Sequence, residues 1–100
     1  AVPVTDTIKM ADENGIVRST PERRTLFAVQ TPQVFQAELL KAALQSALTC
    51  GAEITDDCSA VERLGKQGQL VSGDSENIKI TRPMDLPMAE AILRAREGRT

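Results

Sequence analysis

The apolar positions fall into three helical stripes separated by short extended runs. From Phe35 onward, Leu39, Leu40, Ala43, Leu44, Ala47 and Leu48 recur at the spacing of an amphipathic helix. Thr31 and Pro32 are predicted to open it, the threonine as N-cap and the proline at the first helical position, where its missing N–H costs nothing. Gly51 is the predicted stop. A shorter helix is expected to begin around Thr55-Asp56-Asp57, to carry Ala60, Val61 and Leu64, and to end at Gly65. A last one starts at Pro83 with Leu86, Ala89, Ile92 and Leu93 on one stripe.

Residues 2–10 and 16–20 read as paired strands around Asp12-Glu13-Asn14-Gly15, because Asn-Gly favours the positive backbone angles of hairpin turns. Both strands are largely polar, so this arm needs a neighbour to pack against. Pro21 to Arg24 is a basic loop, and Leu26 to Val29 is a short strand. Two more strands are expected, one at Gln69 to Val71 and one at Asn77 to Thr81. In the second, Ile78 and Ile80 face one side while Lys79 and Thr81 face the other. The order of elements is that of part of an α/β sheet protein.

Composition narrows the function. A length of 100 residues fits one domain or a piece of one. A net charge of -2, two Phe, no Trp and no Tyr argue against nucleic acid as a partner. No signal peptide or membrane-length apolar stretch occurs, so a membrane is not an expected partner either. Cys50 and Cys58 come without a single His, which excludes a Cys/His zinc site and a His-based catalytic dyad from this chain. They are expected to be reduced thiols in a cytoplasmic protein. The chain lacks an initiator Met and opens directly on strand-like Ala-Val-Pro-Val, and is therefore expected to be a fragment.

The residues able to carry chemistry lie where strands end or helices begin, the usual place for ligands in open α/β sheets. Thr7 is on the hairpin, Arg23 in the basic loop, Thr31 and Thr55 at helix starts, and Lys79 on the alternating strand. Two cations and three hydroxyls suit a phosphate: Arg supplies a planar fork, Lys a point charge, and hydroxyls complete the oxygen shell. Each also has an ordinary reading. Thr31 and Thr55 serve as N-caps, Arg23 with Arg24 as a solvated pair, and Lys79 as a guard against strand aggregation. Asp56 and Asp57 complement a helix dipole.

Taken together the strings are more specific. Pro3-Val4-Thr5-Asp6-Thr7-Ile8-Lys9, Arg23, Gln30-Thr31-Pro32-Gln33-Val34-Phe35, Ile54-Thr55-Asp56-Asp57 and Glu76-Asn77-Ile78-Lys79-Ile80-Thr81-Arg82-Pro83 resemble one family, in order and spacing. It is the 2-C-methyl-D-erythritol 4-phosphate cytidylyltransferases of the non-mevalonate isoprenoid pathway. Met10 stands where Arg is frequent, and Pro21-Glu22 where Val-Asp is commoner.

The resemblance implies the C-terminal part of a Rossmann-like, GT-A-like nucleotidyltransferase sheet, with helices on both faces and a protruding β-hairpin arm. Residues 1–100 would form a C-terminal segment of one domain, with 3–25 as a dimerisation arm and 26–100 as sheet and helices. The glycine-rich CTP loop and most ligands for Mg²⁺ would belong to an N-terminal half that these residues lack. The reaction implied is transfer of CMP from CTP to methylerythritol phosphate in the cytoplasm, by a homodimer, with this fragment inactive alone. Arg23 and Lys79 match the two cations that position the acceptor phosphate, and Thr7, Thr31 and Thr55 match threonines around it. Through the arm, Thr7 and Arg23 would serve the neighbouring protomer. Two alternatives remain open at this point. One is a related enzyme with ribitol phosphate as acceptor; the other is a non-catalytic dimerisation module.

Overall fold

The computed structural model describes residues 1–98. Its elements run β1 (Val2–Pro3), β2 (Met10–Ala11), β3 (Val17–Ser19), a 3₁₀ turn (Arg23–Thr25), β4 (Phe27–Ala28), α1 (Ala37–Cys50), α2 (Asp57–Arg63) and α3 (Asp85–Glu97). The chain divides into two compact units. One is Ala1–Thr31 with the chain from Val71 onward, and the other is Pro32–Leu70.

The second unit is α1 packed on α2. Ala43 and Ala60 are fully buried and Val61 is nearly so, with Phe35, Leu39, Leu40 and Leu44 packed around them. Two alanines in the middle of the contact let the helix backbones approach closely. Leu48, expected on the same stripe, is 77% exposed. The helix ends as predicted: Gly51 takes φ +63°, its N–H reaches the Leu48 carbonyl at 3.3 Å, and the Ala52 N–H reaches that of Ala47 at 2.9 Å. This pairing closes a helix through a left-handed residue.

The start of α1 differs from expectation. It begins at Ala37 after Gln36, with no side-chain cap, so Thr31 does not cap it. The reason is Gln33, whose amide donates to Asp56 Oδ2 at 2.9 Å and accepts from the Cys58 N–H at 3.1 Å. Held there, the 32–36 segment cannot wind into a first helical turn.

For α2 the cap is Asp56 and not Thr55. Asp56 Oδ1 accepts from the Ser59 N–H at 2.8 Å, and Ser59 Oγ accepts in return from the Asp56 N–H at 3.2 Å, a reciprocal capping box. The Gln33 amide, followed by the Ser59 N–H, holds the Asp56 carboxyl below its usual pKa. A carboxylate depressed in the folded state adds stability above its unfolded pKa of ~3.9 and loses it as pH falls through the folded value. Asp56→Ala is therefore expected to cost about 1 kcal/mol at pH 7, the usual effect of losing an N-cap. It is also expected to flatten the loss of stability below pH ~4, as read by urea titrations at pH 7 and pH 3.

In the first unit β1 pairs antiparallel with β4, Val2 opposite Ala28 and Pro3 opposite Phe27. β2 and β3 form a second antiparallel ladder with an irregularity between Met10 and Ala11. Its turn is organised by Asp12 more than by Asn14. Asp12 Oδ1 accepts from the N–H groups of Asn14 (2.9 Å) and Ile16 (3.0 Å), and Oδ2 from Arg18 at 2.7 Å. Within this turn only Gly15 has positive φ, at +81°, so it is a type I turn closed by a left-handed glycine instead of a turn with both central residues left-handed.

The expected strands at 69–71 and 77–81 form no ladder among the described residues. A strand is defined by its partner, and alternation alone does not provide one. The Val71 carbonyl and the Gly73 N–H both bond to Ala1, at 2.8 and 2.9 Å, and the chain into Asn77 and Ile78 is a turn closed on Asp74 and Glu76. Lys79 accordingly lies on no strand among the described residues. In α3, Ala89 and Ile92 are half-buried, whereas Leu86 and Leu93 are each 57% exposed. Asp85 Oδ2 accepts from the backbone of Thr81 and Arg82 and from the Thr81 hydroxyl, which fixes the entry to the helix. The first two of these bonds hold its carboxyl below the ordinary value.

Candidate functional site

Arg23 sits on the 3₁₀ turn, and its Nη1 donates to the Thr5 carbonyl at 2.8 Å. Arg24 turns the other way, to Glu22 at 2.7 Å, with both side chains well exposed. The adjacent arginines are thus not an undifferentiated surface pair. One is anchored to the irregular segment after β1 that leads to Thr7; the other makes a surface ion pair of little energetic weight.

The three threonines all keep their hydroxyls available. Thr7, Thr31 and Thr55 are exposed, and none of their hydroxyls is engaged in a hydrogen bond among the described residues. Capping does not explain Thr31 or Thr55, because Gln36 and Asp56 hold those places. Thr55 is positioned through its backbone, its N–H donating to Ser59 Oγ at 3.1 Å. Lys79 is exposed, and its ammonium makes no hydrogen bond or ion pair among the described residues.

Thr31 and the approach to Lys79 are brought together. Asn77 Nδ2 donates to the Thr31 carbonyl at 2.8 Å, and Gln30 Nε2 donates to the carbonyls of Asp74 (2.7 Å) and Asn77 (3.2 Å). Gln30, Asn77 and Gln33 all lie inside the motif strings, yet sequence reasoning assigned them no role. The available signal was that these two strings carry side-chain amides within two residues of a candidate phosphate ligand. None of the five candidate side chains bonds directly to another.

An open cleft of about 550 Å³ lies beside β1, walled by Val4, Thr5, Asp6, Ile8, Gly73 and Ser75 among others. Its lining is mostly apolar and includes none of the five candidates. Among the described residues no group of three or more Cys, Asp or Glu could hold a metal ion, so these residues do not by themselves fit a magnesium site. Cys50 is exposed and Cys58 half-buried, both as free thiols. The Cys58 thiol donates to Glu62 at 3.2 Å, which is the main cause raising its pKa. No helix among the described residues is long and apolar enough to cross a membrane.

Comparison with solved structures matches the fold. A Thermus thermophilus structure titled 2-C-methyl-D-erythritol 4-phosphate cytidylyltransferase superposes with TM-score 0.78 at 39% identity, over 93% of this chain and 45% of its own. An Anaerococcus prevotii structure titled 4-diphosphocytidyl-2C-methyl-D-erythritol synthase gives TM-score 0.81 at 33% identity, over 93% and 43%. The fold is therefore the α/β fold of the nucleotidyltransferases, built here of small antiparallel ladders and helices.

The sequence profile of IspD, 2-C-methyl-D-erythritol 4-phosphate cytidylyltransferase, matches residues 1–95, and the chain belongs to that family. Curated relatives of that name include one from Trichormus variabilis, 52% identical over 98 residues, covering 98% of this chain and 43% of the relative. Another, from Desulforamulus reducens, is 53% identical over 96 residues, covering 96% and 41%. The chain thus spans roughly two fifths of the length of the relatives it matches.

Proposed function

We propose that this chain is the acceptor-binding part of an enzyme that transfers CMP from CTP to 2-C-methyl-D-erythritol 4-phosphate. The products are 4-diphosphocytidyl-2-C-methyl-D-erythritol and pyrophosphate. The observation that carries this reading is the family match over residues 1–95, which includes every string holding a candidate phosphate ligand. The CTP loop and the magnesium ligands belong to the remaining three fifths of such a protein, and residues 1–100 alone are inactive. The 3–25 arm clasps a second subunit, so that Thr7 and Arg23 serve the partner's pocket, and the enzyme works in the cytoplasm. The hairpin's Met10, Ile16 and Val17 are all more than half exposed, which suits a surface that meets another chain.

The chemistry needs little from the protein beyond placement. The acceptor's phosphate oxygen attacks the α-phosphorus of CTP, a P–O bond forms, and the bond to pyrophosphate breaks. A phosphate dianion is already a nucleophile, so the absence of His is no obstacle. What opposes reaction is repulsion between two anions and the entropy of aligning them. The Arg23 guanidinium and Lys79 ammonium offset the acceptor's charge, while Thr7, Thr31 and Thr55 donate to its oxygens. Magnesium, when bound, would neutralise the triphosphate.

A transfer assay on the full-length protein tests the reading, following pyrophosphate release with CTP and either methylerythritol phosphate or ribitol phosphate as acceptor. Turnover with the first and at most trace turnover with the second is expected. Preference for ribitol phosphate, or no transfer to either, overturns it.

A further inference from the structure

Gln30 and Asn77 make three hydrogen bonds across 44 to 47 residues of chain. Such bonds do nothing for the local turn of either residue; they fix one segment against another. The first segment ends in Thr31. The second is the 74–77 turn, which leads within two residues to Lys79. That turn is itself braced: the Asn77 N–H reaches the Asp74 carbonyl at 3.0 Å, Asp74 Oδ1 accepts from the Glu76 N–H at 2.8 Å, and Glu76 pairs with Arg96 of α3 at 3.0 Å. Gly73 completes the fit, because a Cβ at that position would collide with Gln30 Oε1.

The Lys79 ammonium has no partner among the described residues to hold it. A lysine is a point charge on a flexible stem, so where its charge can reach is set by where its backbone stands. The side-chain bonds that tie the backbone leading into Lys79 to the Thr31 segment are those of Gln30 and Asn77.

We propose that Gln30 and Asn77 are positioning residues for Lys79, holding the 74–79 segment against the Thr31 segment so that the ammonium meets the acceptor phosphate. They act through the backbone and do not touch substrate. The inference rests on the assignment of Lys79 to that phosphate.

The test is a double-mutant cycle in the full-length enzyme, with Asn77→Ala and Gln30→Met each made alone and together with Lys79→Ala. Each single substitution is expected to lower kcat/KM for the acceptor by about tenfold, within the loss that a misplacement of ~1 Å produces. KM for CTP and the melting temperature are expected to stay near the parent's. In the Lys79→Ala background the same substitutions should change kcat/KM less than about twofold, because the charge they position is gone. An equal fractional loss in both backgrounds, no loss in either, or a parallel shift in CTP KM and melting temperature overturns the positioning role. If Asn77→Ala fails to fold, Gln30→Met and Gly73→Ala, which displaces the Gln30 amide, carry the same comparison. Turnover unchanged by Lys79→Ala alone removes the site assignment and this inference with it. A large Lys79 effect beside additive Asn77 and Gln30 effects removes the inference only.

Discussion

In the full-length enzyme, Lys79→Ala is expected to lower turnover by about 10²- to 10³-fold, the scale on which removing one group that stabilises reacting charge acts. Stability should change by less than ~0.5 kcal/mol, because an exposed side chain with no packing partner contributes little to the fold. The split between the two readouts gives the experiment its force. Among the described residues Lys79 is exposed, partnerless and outside any ladder, so these residues give it no structural role that would explain a large loss. Lys79→Arg is expected to recover part of the activity, since the charge returns on a stiffer, broader head. Steady-state kinetics with thermal melting of the same samples decides the matter. Equal melting with unchanged turnover takes Lys79 out of the mechanism. Arg23→Ala should show a similar loss with a less clean separation, because it also frees the Thr5 carbonyl.

How much of this was legible beforehand depends on how local each signal is. Gly51 and Gly65 as helix ends and the α2 start near Asp56 follow from residues within a few positions of one another, and the structure has them there. The start of α1 does not, because it is decided by Gln33 reaching Asp56 and Cys58, 23 and 25 residues away. The alternation at 77–81 holds only in the sequence: Ile78 is half-buried, but Ile80 is 54% exposed like its neighbours Lys79 and Thr81, and a ladder needs a partner that the pattern does not name. The candidate site divides the same way. Thr7, Arg23, Thr31, Thr55 and Lys79 stand in short strings that can be recognised one by one. The amides of Gln30 and Asn77 have partners too distant in the chain for any string to indicate. Among the described residues neither Thr31 nor Thr55 caps a helix, and Lys79 lies in no ladder.

The largest effect on stability is expected where α1 meets α2. Ala60→Leu should destabilise the protein by about 1–3 kcal/mol, the usual cost of forcing extra methylenes into a filled core. Ala60 has no exposed surface, nor has Ala43, and Val61 beside them is 2% exposed, so a longer side chain has no space to enter without moving a helix. Hydrophobicity alone predicts the opposite sign, because leucine buries more apolar area than alanine. Packing prevails here because the interface is set by its smallest residues, and the surrounding Leu39, Leu40 and Leu44 already occupy its margins. Ala43→Leu should behave alike. The double variant should cost less than the sum of the two, since both open the same gap and the helices need separate only once. Urea titrations of the four proteins measure this directly. A stabilised Ala60→Leu would mean that the helix pair holds unfilled space at its centre, and strictly additive losses would mean that the two alanines do not share one contact.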